Sequence, residues 1–336
     1  MNGADAPLRA DAVRRGAGLF LLRDRGLLAV RGSDRVRWLD GMLSNDVASL
    51  RPGPQSSGCY ALMLSPQGRI LADFHVLQRG DELWLETESR ELADVRTRLE
   101  RDVVCDDVPL EDRSAAVVRI GLEGRAAPEL LARALGKAPG LAPDCAADFE
   151  CAGRRVCVAA FGWSGAPAYQ LIAPADAEGA LVEALRACAT PGLPLVEGDA
   201  VVLEILRIEA GIPRLFHELG PQVLPPEARL VPRAVSLEKG CYTGQEIVAR
   251  LVSRAAESHR LVALRFTGDP PPAGTELRAD GRPVGSVTSS CRSARAGSIG
   301  LGFVRRPFDA DGGELAADGV QARVALPPLV APTGAA

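Results

Sequence analysis

The sequence predicts an α+β body followed by a small all-β barrel. Three observations carry this. Strand-like runs are joined by short turns rather than by helical crossovers. Helical patterns fall between those hairpins irregularly, unlike the regular alternation of a doubly wound parallel sheet. After Ser258 only short strands separated by turns follow. At 336 residues the chain exceeds what one core usually serves, so two segments are expected, 1–256 and 257–336.

Residues 27–30 read as a strand, and Ser33 or Asp34 can cap a helix carrying Val36, Trp38, Leu39 and Leu43. The runs 59–64, 70–77 and 82–86 are separated by Pro66-Gln67-Gly68 and Arg79-Gly80-Asp81, which implies an antiparallel meander. Leu92, Val95, Leu99 and Val103 mark a helix over 89–103. A strand over 115–120 precedes a helix over 128–135, with Pro128 suited to its first turn. Strands over 155–161 and 168–172 lead to helices over 175–189 and 199–210. Gly211-Ile212-Pro213 stops the last of these. The barrel strands are expected over 260–266, 275–279, 284–289, 299–304 and 320–326.

Composition excludes several classes. An apolar fraction of 47% with 24% charged residues is that of a globular protein. No apolar run reaches membrane-spanning length and no signal-peptide pattern opens the chain, so a cytoplasmic monomer is expected. Eight cysteines are scattered without CxxC or His/Cys clusters, which suits a reducing compartment and gives no metal site. His75 falls in an apolar strand and reads as a packed residue. A net charge of −4 argues against the whole chain binding nucleic acid, although Arg229, Arg233, Lys239, Arg250, Arg254, Arg260 and Arg265 form a locally basic stretch.

Lys239-Gly240-Cys241-Tyr242-Thr243-Gly244-Gln245-Glu246 is the most informative stretch. Only two lysines, Lys137 and Lys239, occur among 39 basic residues, so a lysine beside a cysteine suggests work that guanidinium cannot do. Thr243 and Glu246 have capping-box spacing ahead of an apolar-rich helical run, placing Cys241 just before a helix N-terminus. The helix dipole and Lys239 are then expected to lower the thiol's pKa. A small cysteine in a tight turn is the plainer alternative.

The run 238–246 resembles the signature of the folate-binding YgfZ family, within the superfamily of the glycine-cleavage aminomethyltransferase. Arg207-Ile208-Glu209-Ala210-Gly211, the segments 285–289 and 300–304, and residues 34–47 resemble other parts of that superfamily. The resemblance implies three subdomains around a central channel, two of them intertwined within 1–256. Reduced folate, tetrahydrofolate or a derivative, would bind in the channel. Arg207 matches the folate-contacting arginine of the transferases and could hold a carboxylate bidentately, or merely pair with Glu204. Cys241 and Lys239 are then the candidate catalytic groups; Arg207, Asp73, Tyr242, Gly240, Gln245 and Glu246 are the candidate folate contacts.

Two departures stand out. The transferases carry adjacent aspartates where this chain has Ala72-Asp73. Their pterin-reading glutamates fall in a stretch that here reads Gly165-Ala166-Pro167-Ala168-Tyr169-Gln170. Both speak against aminomethyl transfer. The resemblance implies a folate-binding accessory protein for iron–sulfur cluster assembly or repair and, through it, tRNA modification. Its partners would be iron–sulfur proteins or cluster-assembly factors. A folate-dependent aminomethyltransferase or demethylase of a small amine is the enzyme alternative, and direct tRNA docking on the basic stretch a third.

Overall fold

The computed structural model describes residues 5–254 and 257–331, so the boundary expected at residue 256 lies outside the described residues. Residues 17–198 build two sheets. One runs in the order β3 (Gly58–Leu64), β4 (Ile70–Arg79), β5 (Glu82–Glu88), β2 (Arg25–Val30) and β6 (Leu110–Asp112), all antiparallel. This contains the expected meander; Gly68 at φ +74 and Gly80 at φ +62 supply the left-handed turn positions. The other sheet runs β11 (Leu195–Gly198), β1 (Ala17–Leu21), β7 (Val117–Glu123), β10 (Ala168–Pro174), β9 (Arg154–Ala159) and β8 (Ala146–Cys151). Its β1–β11 pair is parallel.

Each sheet buries one face under helices. α2 (Arg35–Met42) and α3 (Leu92–Arg101) lay Trp38, Leu39, Val95 and Leu99 on Leu28, Phe74, Leu83 and Leu85. α4 (Ala127–Leu135) and α5 (Glu178–Ala187) lay Leu130, Leu131, Leu181 and Leu185 on Ile120, Leu122, Val158 and Leu171. Side chains alternate along a strand, so the remaining faces of the two sheets turn toward each other. Leu27 and Leu77 from one meet Phe161 and Ile172 from the other in a shared layer. That layer positions the candidate site.

α1 (Ala6–Arg15) packs on α6 (Ala200–Ala210) through Ala10, Val13, Val202 and Leu206. Asp199 caps α6 by accepting the Val202 amide at 3.0 Å. The expected stop at Gly211 has two causes: its φ is +72, and an added Cβ would lie 2.2 Å from Pro327. The segment 211–244 then wraps the rim of the first sheet with only the short α7 (Val231–Ala234) in it. Leu215, Leu219 and Leu230 pack there on Tyr60 and Leu62.

α8 (Gln245–Arg254) leads to a closed barrel of β12 (His259–Phe266), β15 (Gly297–Arg305), β14 (Arg282–Ser293), β13 (Glu276–Ala279), β16 (Glu314–Ala317) and β17 (Val320–Ala325). Val262, Leu264, Leu277, Val287 and Val304 fill it. β14 breaks register between Val287 and Ser289, and such bulges re-aim side chains.

Both expected helix caps are corrected. The Asp34 side chain caps no backbone amide of its helix; its carboxylate accepts the Asp107 amide at 3.0 Å and the Arg37 guanidinium at 3.0 Å instead. α8 starts one residue later than a capping box at Thr243 requires, with Gly244 O accepting its first bond from Val248 N at 3.3 Å. Among the described residues no hydrogen bond joins the Thr243 side chain to Glu246. Gly244, at φ +83, is pressed onto the β3–β4 turn, where an added Cβ would sit 2.6 Å from Ser65 O. Backbone contact, not side-chain capping, sets this helix start.

Candidate functional site

Polar side chains interrupt the layer between the sheets. Arg25 is buried, donating to Glu88 and Glu86 at 2.9 Å each, with its guanidinium 4.9 Å from the Trp163 ring centre. One oxygen of Asp73 accepts the Tyr60 hydroxyl at 2.7 Å. The other, Oδ1, is buried without a partner. Burial pushes the Asp73 carboxyl above the usual carboxylate range, against the pull of Arg25 and the Tyr60 bond. His75, on the same face, stacks on Phe161 at 3.8 Å, and burial lowers its pKa. It is a packed ring, as its apolar strand implied.

The opposing sheet presents Gln170 and Arg119. Gln170 is fully buried with neither amide atom bonded. Arg119 donates to Arg25 O, while its Nε and Nη1 are buried without partners. Glu123 holds the adjoining turn by accepting the amides of Trp163 at 3.1 Å and Ser164 at 2.7 Å. An unsatisfied buried polar group costs about 1–3 kcal/mol. Several on facing surfaces are best explained by a molecule or water that completes their bonding.

The Ala72 departure loses its force here. Neighbours on a strand point to opposite faces, and Ala72 packs in the core under α2 and α3. A carboxylate in its place would point away from the layer that Asp73 faces.

Arg207 also borders the layer but has no donor to spare. Its five N–H groups go to Glu204 twice, Ile212 O at 3.0 Å, Glu218 at 2.8 Å and Ser289 at 2.6 Å. The cavity between Arg207, Arg25, Trp163 and Arg214 is about 20 Å³, room for a water but not a pterin. The expected carboxylate fork is therefore corrected: Arg207 ties α6 to the following loop and to the barrel bulge.

The motif divides in two. Lys239 Nζ donates to Asp40 O, to Leu43 O at 2.9 Å and to Asn45 O at 3.0 Å, and lies 3.0 Å from the Asp40 carboxylate. It closes the carbonyl end of α2, where a cation is favoured. Burial lowers its pKa, only partly offset by Asp40. The charge expected to activate Cys241 is spent on this clamp. Lys239 favours ionisation at Cys59, though burial dominates there and pushes that thiol up to about 12. Cys241 itself is exposed, separated from α8 by the Tyr242-Thr243-Gly244 turn. Tyr242 packs inward against Tyr60 and Leu62; burial pushes its hydroxyl up to about 12, and that oxygen has no partner. Gly240 and Glu246 are exposed and Gln245 half-buried. Of the candidate contacts, only Asp73 presents an open acceptor to the inter-sheet layer.

A family model described as the GCVT N-terminal domain matches residues 9–239. The chain belongs to the GCVT family. A second model, described as the CAF17 C-terminal beta-barrel domain, matches residues 259–332 of this GCVT chain. Aminomethyltransferases from Geobacillus kaustophilus and Frankia alni are among its relatives. The first is 31% identical, covering 92% of this chain and 84% of its own. The second is 33% identical, covering 88% and 80%. The crystal structure of glycine cleavage system aminomethyltransferase T from Bartonella henselae shares the fold, with a TM-score of 0.85 at 22% identity over 97% of this chain and 89% of that one. A GCVT body with a CAF17-type barrel agrees with the YgfZ-type resemblance carried by residues 238–246. Among the described residues no helix is long and apolar enough to cross a membrane.

Sequence reasoning missed Arg119, Glu123 and Glu218, and took Gln170 only as a lost acceptor. Nothing local distinguishes them, because their surroundings come from strands and loops distant in the chain.

Proposed function

We propose that this GCVT-family chain binds tetrahydrofolate or a derivative between its two sheets. We further propose that it acts as an accessory protein in assembly or repair of iron–sulfur enzymes and, through them, in tRNA modification. One observation carries the folate reading: Asp73 Oδ1 and the whole Gln170 amide are buried, unbonded and directed into the same layer. A reduced pterin is a flat ring edged with N–H and C=O groups. Asp73 would accept from ring N–H groups. Gln170, with a donor and an acceptor side by side, would pair with the ring's lactam edge. When bound, folate supplies a carrier for a one-carbon unit.

The accessory role is supported by the CAF17-type barrel and by an exposed Cys241 on a turn held down at Gly244 and Tyr242. Cys241 would meet a client protein or its cluster at the surface. The rival reading is a folate-dependent aminomethyltransferase or demethylase of a small amine. The aminomethyltransferase relatives favour it, and it requires methylene-tetrahydrofolate to form with purified protein. Direct tRNA contact through the exposed Arg250 and Arg254 would show as binding that weakens steeply with salt.

A strain deleted for this protein tests the accessory role. The wild-type chain should restore the activity of iron–sulfur enzymes, and Cys241→Ala, expressed at equal level, should not. Full rescue by Cys241→Ala would remove the thiol from the account.

A further inference from the structure

Among the described residues the buried arginines are Arg14, Arg25, Arg119 and Arg207. Three of them are tied to acids: Arg14 to Glu209, Arg25 to Glu86 and Glu88, Arg207 to Glu204 and Glu218. Arg119, 4% exposed, has no carboxylate within ion-pair distance among the described residues. Its Nη2 donates to Arg25 O across the layer, and its Nε and Nη1 are buried without a hydrogen-bond partner. A buried donor left unpaired is costly, and a buried charge more so. An apolar side chain of similar volume would avoid both costs.

The strand pattern fixes where those donors point. Val118, Ile120 and Leu122 lie in the core under α4 and α5, so Arg119 projects from the opposite face of β7 into the layer. On the adjoining β10, Ile172 stands opposite Arg119, and Gln170 stands opposite Gly121. Arg119 and the unbonded Gln170 amide are therefore diagonal neighbours on one face, within reach of one ligand. Arg25, to which Arg119 bonds, is close enough for its charge to act on Asp73.

The pterin ring alone does not satisfy this cluster. In the folate reading Asp73 takes ring N–H groups and Gln170 the lactam edge, which leaves Arg119 with open donors. A one-carbon unit at the methyl or methylene level adds only C–H bonds. A formyl unit on N5 adds a carbonyl oxygen, which can stand beside the ring's own C4 carbonyl and offers the acceptor that Arg119 lacks.

We infer that Arg119 makes this layer selective for a folate carrying its one-carbon unit at the formyl level, by donating to the formyl oxygen. The inference rests on the folate reading and deepens it, because it names the oxidation state of the unit that the site takes.

Calorimetric titration of the full chain with 5-formyl-, 5-methyl- and unsubstituted tetrahydrofolate tests it, in the wild type and in Arg119→Met. The three ligands share one ring and one glutamate, so their affinity ratios isolate the one-carbon unit. The wild type should bind the formyl form on the order of tenfold or more tighter than the methyl form. Arg119→Met should lose most of that preference. Thermal melting of the ligand-free proteins gives a second readout. Arg119→Met should melt no lower than the wild type, because it removes a buried charge that no acid pairs in the free protein. Equal wild-type affinity for the formyl and methyl forms, or a formyl preference that survives Arg119→Met, would overturn the inference and leave the folate reading standing. An Arg119→Met chain that fails to fold, or melts well below the wild type, would overturn it as well by making Arg119 a structural tie. Failure of the wild type to bind any of the three would instead bring down the folate reading.

Discussion

Arg207→Ala should lower folding stability by about 3–5 kcal/mol, the range for removing one partner of a buried charge pair. The Arg207 and Glu218 side chains are 2% and 0% exposed, so the stranded carboxylate has no water to turn to. Glu218 also accepts from Thr288 at 2.8 Å and Ser289 at 2.6 Å, and one guanidinium therefore serves α6, its following loop and the barrel together. Urea denaturation measures the loss. Adding Glu218→Gln to Arg207→Ala should recover part of it, because the second change removes the charge the first left unpaired. A loss under about 1 kcal/mol would mean that Arg207 is not a structural tie and is free for ligand, contrary to the five-bond arrangement.

Lys239→Met should have the next largest effect, about 2–4 kcal/mol, through three carbonyls and one carboxylate left without their donor. The side chain is 2% exposed and Asp40 17%. The damage should concentrate at the end of α2 and in residues 43–47, visible as faster amide exchange there than in the barrel. The pH dependence has a definite sign. Burial lowers the Lys239 pKa below its ordinary 10.5, so the folded state gives up this proton more readily than the unfolded state. This group's contribution is therefore weakest below the depressed folded value. It grows as pH rises through that value toward 10.5 and is fully present above it. The stability gap between wild type and Lys239→Met should widen over that interval. A gap that narrows there would show the ammonium to be better stabilised inside the protein than in water. A variant as stable as the wild type would return Lys239 to the pool of candidate catalytic groups.

Both predictions concern residues whose importance was legible in the sequence but whose role was not. The scarcity of lysine singled out Lys239, but for a catalytic part that its clamp on the end of α2 replaces. Its carbonyl partners come from residues 40–45, nearly two hundred positions earlier, and no local pattern announces them. Arg207 stood out by resemblance, and its neighbour Glu204 at i−3 was visible on the helix. Glu218 and Ser289, which complete its saturation, reach it through a loop and a barrel bulge.

The hairpins were readable because alternation and glycine turns are local signals. Strands β1, β6, β8, β11 and β16 were not. β11 and β16 are four residues long, and β11 becomes a strand only by pairing in parallel with β1, more than half the chain away. α1 was passed over because its pattern of small residues and arginines shows little amphipathic contrast, and it packs between α6 and the β1–β11 edge of a sheet.

The site followed the same division. Asp73 was named from the sequence, yet the significance of Ala72 depended on which face of β4 it occupies. Gln170 read as a deficiency beside a glutamate; buried and unbonded opposite the Asp73 sheet, it reads as a complementary donor–acceptor pair.

Folate occupancy of the inter-sheet layer is tested most directly by titrating tetrahydrofolate against tryptophan fluorescence in the wild type and Asp73→Asn. Trp163 reports on the layer, since it borders the Arg25 and Arg207 cavity and contacts Phe161 edge-on. A saturable change in the wild type, weakened on the order of tenfold or more in Asp73→Asn, is the predicted result. A wild-type signal that never responds, or one that Asp73→Asn leaves untouched, would contradict it.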